Sequence, residues 1–154
     1  MFRGITIFHL DTKGRLAIPA RYRERLETLA GGRLVITVDR DRCLLLYPES
    51  EWEIIERRLA ALPAFDPTVR ALQRLYLGNA QDVELDAQGR ILIPSHLRKF
   101  AALDKQIAFV GQGVKLVSSL RSGMKRPGRR GWMRPSRFAG DRTGQGSRTG
   151  RPGL

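Results

Sequence analysis

Ten residues are written twice in this chain. Leu10-Asp11-Thr12-Lys13-Gly14-Arg15-Leu16-Ala17-Ile18-Pro19 returns 75 positions later as Leu85-Asp86-Ala87-Gln88-Gly89-Arg90-Ile91-Leu92-Ile93-Pro94. Leu, Asp, Gly, Arg, Ile and Pro coincide, apolar Leu16 is matched by Ile91, and Arg23 and Arg98 coincide four residues beyond each proline. A repeat of this kind describes one unit folded twice, and it governs the element assignments that follow.

Each copy has a physical reading. An apolar segment (Ile5–Leu10, Val83–Leu85) enters D-x-x-G, where Asp11 and Asp86 can accept backbone N–H bonds. Gly14 and Gly89 supply the left-handed residue that closes a type I turn with a bulge. The β-rich R-L-A-I and R-I-L-I segments complete two hairpins. Pro19 and Pro94 stop the strands and suit the start of helices over ARYRERLETLA and SHLRKFAAL. Tyr22, Leu26 and Leu29, and in the second copy Leu97 and Phe100, fall near helical spacing. Gly31-Gly32 end the first helix. RLVITVD and CLLLYP then read as strands around the turn 39–42, and Pro48-Glu49-Ser50 starts an amphipathic helix. A break at Phe65-Asp66-Pro67 precedes a further helix, TVRALQRLYLG. QIAFVG and VKLV are strands around a turn at Gln112-Gly113, and no counterpart of the EWEIIERR helix follows.

Charge separates the body of the chain from its end. The 28 Lys+Arg against 15 Asp+Glu give a formal net charge of +13, which favours a polyanionic partner. Residues 1–116 hold 18 basic and 14 acidic residues, whereas 117–154 hold 10 and one, so most of the excess sits in the C-terminal stretch. That stretch is rich in Gly, Arg, Ser and Pro, and its composition predicts disorder. The 42% hydrophobic content is enough for a packed core in the remainder. Cys43, the single cysteine, lies in an apolar run and reads as an inert, buried thiol. The N-terminus does not read as a signal peptide, and no apolar run approaches the roughly 18 residues of a membrane span. A cytoplasmic protein is expected.

Catalysis finds little support, since only unassigned polar residues can be cited for an enzyme. His9 and His96 stand alone, without the spacing of a metal site. Gly31-Gly32 and VGQG lack the pattern of a phosphate loop. Glu49, Glu51, Glu53 and Glu56 read as a solvated helix face. No nucleophile–base pair, metal site or cofactor site is expected.

The opening MFRG, the LDTKGRLAIPARYRE block, CLLLYP followed by EWE, the LQRLYLG helix, LDAQGRILIP and VGQG together closely resemble the MraZ family of bacterial transcriptional regulators. The resemblance covers roughly residues 1–116. It implies an α+β, β-rich fold of duplicated AbrB-like swapped-hairpin modules with flanking helices and a disordered basic C-terminal tail. SpoVT-AbrB module 1 is placed at 5–50, connecting helices at 51–78, module 2 at 79–122 and the Arg/Gly-rich tail at 123–154. The sequence leaves the family pattern after Lys115, so module 2 is open to truncation after about residue 116, and the sudden break reads as a frameshift. The resemblance further implies a sequence-specific, nucleoid-associated DNA-binding regulator. It would act as a ring-like homo-oligomer on repeated operator elements in double-stranded DNA near its own promoter, repressing its own division and cell-wall gene cluster.

The family's D-x-x-x-R signature carries over to Asp11 and Arg15, and to Asp86 and Arg90. Arginine suits such a site because its planar fork binds phosphate and also pairs with guanine O6/N7. Arg3, Lys13, Arg21 and Arg23 are expected near the first signature, Arg98 and Lys99 near the second. Simpler roles stay open: either Asp can cap its turn, Arg15 can pair with Asp11 or with a neighbouring carboxylate, and Arg21, Arg23 and Arg98 can line a solvated helix face. The competing functional class is a basic RNA- or ribosome-associated protein, which would need exposed aromatics for stacking.

Overall fold

The prolines and glycines of the repeat set the element boundaries. In the computed structural model, which describes residues 2–113 and 116–118, strand β1 (Phe2–Leu10) turns into β2 (Arg15–Ala17). Pro19 then takes the N-cap of helix α1 (Ala20–Ala30). Gly31, left-handed at φ 60°, ends α1 by donating its N–H to Glu27 O, and the Gly32 N–H reaches Leu26 O. Strands β3 (Arg33–Val38) and β4 (Leu44–Pro48) follow. Helix α2 (Glu49–Ala60) carries Glu49 and Glu51 in its first turn and Arg57 and Arg58 in its last, as the helix dipole favours. Helix α3 (Pro67–Tyr76) has Asp66 as N-cap, accepting from the Thr68 N–H at 2.8 Å, with Pro67 in the first helical position. The second copy runs β5 (Gln81–Glu84), β6 (Arg90–Leu92), α4 (Ser95–Phe100), β7 (Gln106–Gly113) and β8 (Leu116–Ser118). The expectations about the tail lie outside the described residues.

Eight antiparallel strands form one sheet in the order β5-β3-β4-β8-β7-β1-β2-β6. The α+β, β-rich expectation therefore holds, and the two copies are interleaved. β1 of the first copy pairs with β7 of the second, from Phe2↔Gly113 to His9↔Gln106. β5 of the second pairs with β3 of the first, from Arg33↔Glu84 to Ile36↔Gln81. Equivalent hydrogen bonds recur at both places: Leu10 N–H to Lys105 O, and Leu85 N–H to Gly32 O. Gln112 and Gly113, the expected turn, lie between the paired Gly111 and Leu116 of β7 and β8, and they also extend the ladder of β7 to Arg3 and Phe2.

The copies meet most closely at β2 and β6, where Leu16 faces Ile91, Arg15 faces Leu92 and Ala17 faces Arg90. Leu16 and Ile91 are equivalent positions of the repeat, so an internal two-fold axis passes through their contact. The main core shows the same symmetry. Phe8, Leu16, Ile18, Tyr22 and Leu26 are matched by Val83, Ile91, Ile93, Leu97 and Ala101, all buried in one cluster. Each large aliphatic side chain buried this way contributes about 1.5–3 kcal/mol. Leu29, expected on the buried face of α1, is exposed, and Ala30 is buried instead.

A second cluster breaks the symmetry. Val35, Leu45 and Tyr47 on the other sheet face pack against Trp52, Ile55 and Tyr76 of α2 and α3. Cys43 is half-buried at its margin. Among the described residues no helix is long and apolar enough to cross a membrane.

Candidate nucleic-acid interface

Pairing β2 with β6 sets the two D-x-x-G-R turns beside one internal axis, each built the same way. In the first, Asp11 Oδ1 accepts the backbone N–H of Lys13 (2.9 Å) and of Arg15 (2.8 Å). Its Oδ2 accepts the Arg15 Nε–H at 2.6 Å. The Gly14 N–H closes the turn onto Asp11 O at 3.1 Å, with Gly14 at φ 84°. In the second, Asp86 holds the N–H groups of Gln88 and Arg90 and the Arg90 Nε–H at 2.9, 2.8 and 2.9 Å. Gly89 takes φ 72°. One carboxylate thus shapes the turn with one oxygen and aims an arginine with the other.

The two arginines differ at their tips. Arg90 Nη2 also donates to Gln88 Oε1 at 3.2 Å. The first copy has Lys13 there, so no such bond forms and the turn carries an additional cation. With Nε committed to Asp11, the Nη1/Nη2 end of Arg15 is the part left to meet a ligand. About a third of each side chain in these pairs is solvent-accessible, so the ion pairs add little stability. Their effect is to fix orientation.

Both carboxyls are held below the ordinary value of 3.8, first by the backbone N–H of Arg15 or Arg90 and then by that arginine's side chain. The turn binds the ionised form. Its stabilisation is therefore complete above the ordinary carboxylate value and is lost as pH falls through the lower folded value. Urea midpoints followed from neutrality down through the carboxylate range should drop more steeply for the native chain than for Asp11→Asn/Asp86→Asn. Parallel curves would show that the turns do not titrate as described.

Arg23 and Arg98 serve a clasp between copies that local sequence does not reveal. Arg23 Nε donates to Ile18 O at 2.6 Å, and its side chain lies where a Cβ on Gly89 would project. Arg98 Nε donates to Ile93 O at 3.1 Å, with its guanidinium carbon 2.6 Å from the corresponding point on Gly14. The Ile18 N–H bonds to Gly89 O and the Ile93 N–H to Gly14 O, at 3.0 and 2.9 Å. Each copy's strand end and helix arginine therefore cover the other copy's turn. Glycine is favoured at positions 14 and 89 by their positive φ, and the two arginines occupy the space a side chain there would take.

The sequence-expected cations are thus redistributed. Lys13 stays on the first turn, joined by Arg98 from the other copy, and Arg23 moves to the second turn beside Arg90. A cleft of about 470 Å³ adjoins the first turn, lined by Asp11, Thr12, Arg98, Lys99, Asp104 and Lys105 among others. Lys105 had no signal in the local pattern; it arrives because its carbonyl pairs with the Leu10 N–H. Arg3 and Arg21 are not part of this surface. They meet around Tyr22, toward the opposite end of β1.

Comparison with known proteins agrees with this architecture. The family model described as "MraZ protein, putative antitoxin-like" matches residues 1–75 and 76–117. The chain is similar to the "Transcriptional regulator MraZ" of Thioalkalivibrio sulfidiphilus, with 59% identity over 115 residues, covering 75% of this chain and 77% of the relative. It is also similar to the proteins of the same name from Nitrosospira multiformis and Nitrosomonas europaea, at 56% and 55% identity over 115 residues. Each of those matches covers 75% of this chain and 78% of the relative.

Proposed function

The chain belongs to the MraZ family, and from that membership we propose that it binds repeated operator elements in double-stranded DNA beside its own promoter through its paired hairpin turns. It is a DNA-binding transcriptional regulator and not an enzyme. In this reading Arg15 and Arg90 reach base edges or phosphates, and Lys13 anchors a neighbouring phosphate. Asp11, Gly14, Asp86 and Gly89 hold the geometry. Arg23 and Arg98 act first on the turns and only secondarily as phosphate contacts. The protein would work on the nucleoid in the cytoplasm as a ring-like homo-oligomer and repress its own division and cell-wall gene cluster.

The observation that carries this reading is the β2–β6 ladder. It sets two carboxylate-aimed arginines next to one internal two-fold axis, beside turns of the two-stranded kind that can enter a groove. An oligomer would repeat that pair along successive operator elements, and linked weak contacts gain through effective concentration. In gel shifts, DNA from upstream of the gene should be retained at lower protein concentration than scrambled DNA or RNA of equal length. Footprints should show protections at repeated intervals. Equal retention of all three nucleic acids would defeat the operator reading and favour a general RNA- or polyanion-binding role.

A further inference from the structure

A second cationic site lies away from the paired turns. A cleft of about 330 Å³ is lined by Arg3 of β1 and by Arg21, Tyr22 and Arg25 of α1. Tyr22 is its floor, 4% exposed, with its ring against Phe2 and Phe8. Its hydroxyl donates to Arg3 O at 3.3 Å and shares a 3.0 Å hydrogen bond with the Thr6 hydroxyl. Arg21 Nη2 donates to the same hydroxyl at 2.7 Å, and its guanidinium lies 4.5 Å from the ring centroid. The adjoining surface of Arg25 adds Glu24, Thr28 and Leu29.

Two features of this cluster need a reason. Neither Arg3 nor Arg21 forms an ion pair with a carboxylate among the described residues, so like charges converge with Glu24 the nearest acid in sequence. Arg21 and Arg23 also occupy the first turn of α1, which holds no acidic residue, where the helix dipole already makes cations unfavourable. The module itself does not require the arrangement. The second copy has Gly78, His96, Leu97 and Phe100 at the equivalent positions, and Leu97 fills the core place of Tyr22 without a hydroxyl. The turns and their clasp are duplicated; this cleft occurs in the first copy alone.

We propose that the Arg3–Arg21–Arg25 cleft binds a phosphoryl group. Guanidinium forks supply several N–H donors to a tetrahedral oxyanion, and Tyr22 fixes Arg21 by ring and hydroxyl together. The phosphoryl oxygens can belong to a free phosphate or to the backbone of DNA that flanks the segment at the turns. At about 3.3 Å per residue, Arg3 stands roughly 23 Å along β1 from Leu10, where the first turn begins. The DNA source rests on the operator-binding reading; the free phosphate does not.

The test compares the full chain with Arg3→Gln/Arg21→Gln/Arg25→Gln, all exposed positions, and with Arg3→Gln alone, which leaves α1 untouched. Inorganic phosphate at constant ionic strength should raise the Tm of the native chain and not of the triple variant if free phosphate is the ligand. If the backbone is the ligand, the plot of log affinity against log salt should be shallower by about one for each lost contact. That change should be equal for operator and scrambled DNA, and Arg3→Gln should lower the slope by about one. Triple-variant behaviour identical to the native chain in both measurements overturns the proposal. So does a change confined to assembly state, which would assign the cleft to carboxylates of a second copy. If the native chain shows no operator preference, the operator reading fails, while the phosphate titration still reports on the cleft.

Discussion

Alanine at Arg15 is expected to weaken operator binding by about 1–3 kcal/mol for each engaged turn, roughly 5- to 150-fold. The loss should multiply in any assembly that presents several turns to one operator. The planar fork of Arg15 is supplied by no other side chain of its turn, since Lys13 offers only a point charge. Lysine at position 15 should restore little, since it lacks the planar fork. Arg90→Ala should cost less, as Gln88 already engages its Nη2. Quantitative gel shifts on operator and scrambled DNA measure the effect, with thermal unfolding to verify the fold. Full affinity and preference in a folded Arg15→Ala protein would refute the contact.

The largest effect on stability is expected at the internal axis. Leu16 and Ile91 are 0% and 1% exposed, face each other across β2–β6 and join the strands of both copies. Leu16→Ala should lower the unfolding free energy by about 2–5 kcal/mol, and Ile91→Ala by a similar amount. Because the two side chains share one contact, the double variant should lose less or more than the sum by at least about 0.5 kcal/mol. Urea denaturation of the four proteins completes the cycle. Strict additivity would show that the copies meet elsewhere.

What was legible in the sequence follows from the range over which each signal acts. The hairpins and α1 were visible because Asp, Gly, Arg and Pro act within a few residues of themselves. The roles of Asp11 and Asp86 as turn caps, and their pairing with Arg15 and Arg90, are likewise local at i and i+4. Neither alternative had to yield: the same carboxylate caps the turn and aims the arginine. Partner choice was not legible. The apolar residues of FRGITIFHL specify a strand, yet are equally compatible with a partner from either copy. For the same reason Arg23 and Arg98 read as a helix face, although each lies on a glycine of the other copy. Arg3 looked adjacent to Arg15 in the chain; a nine-residue strand carries the two apart.

The interleaving of β1 with β7 has a consequence during synthesis. β1 is complete once residue 10 has been made, but its longest ladder is to Gln106–Gly113, about a hundred residues later. At roughly 5–20 residues per second the ribosome needs about 5–20 s to deliver that partner. Through that interval Phe2 and Phe8, both buried at the end, have no completed core to enter. The longest ladder of β1 therefore cannot form until residues 106–113 have been made. Ribosomes stalled before residue 106 would display an unpaired apolar strand, whatever the quality of the helices already made.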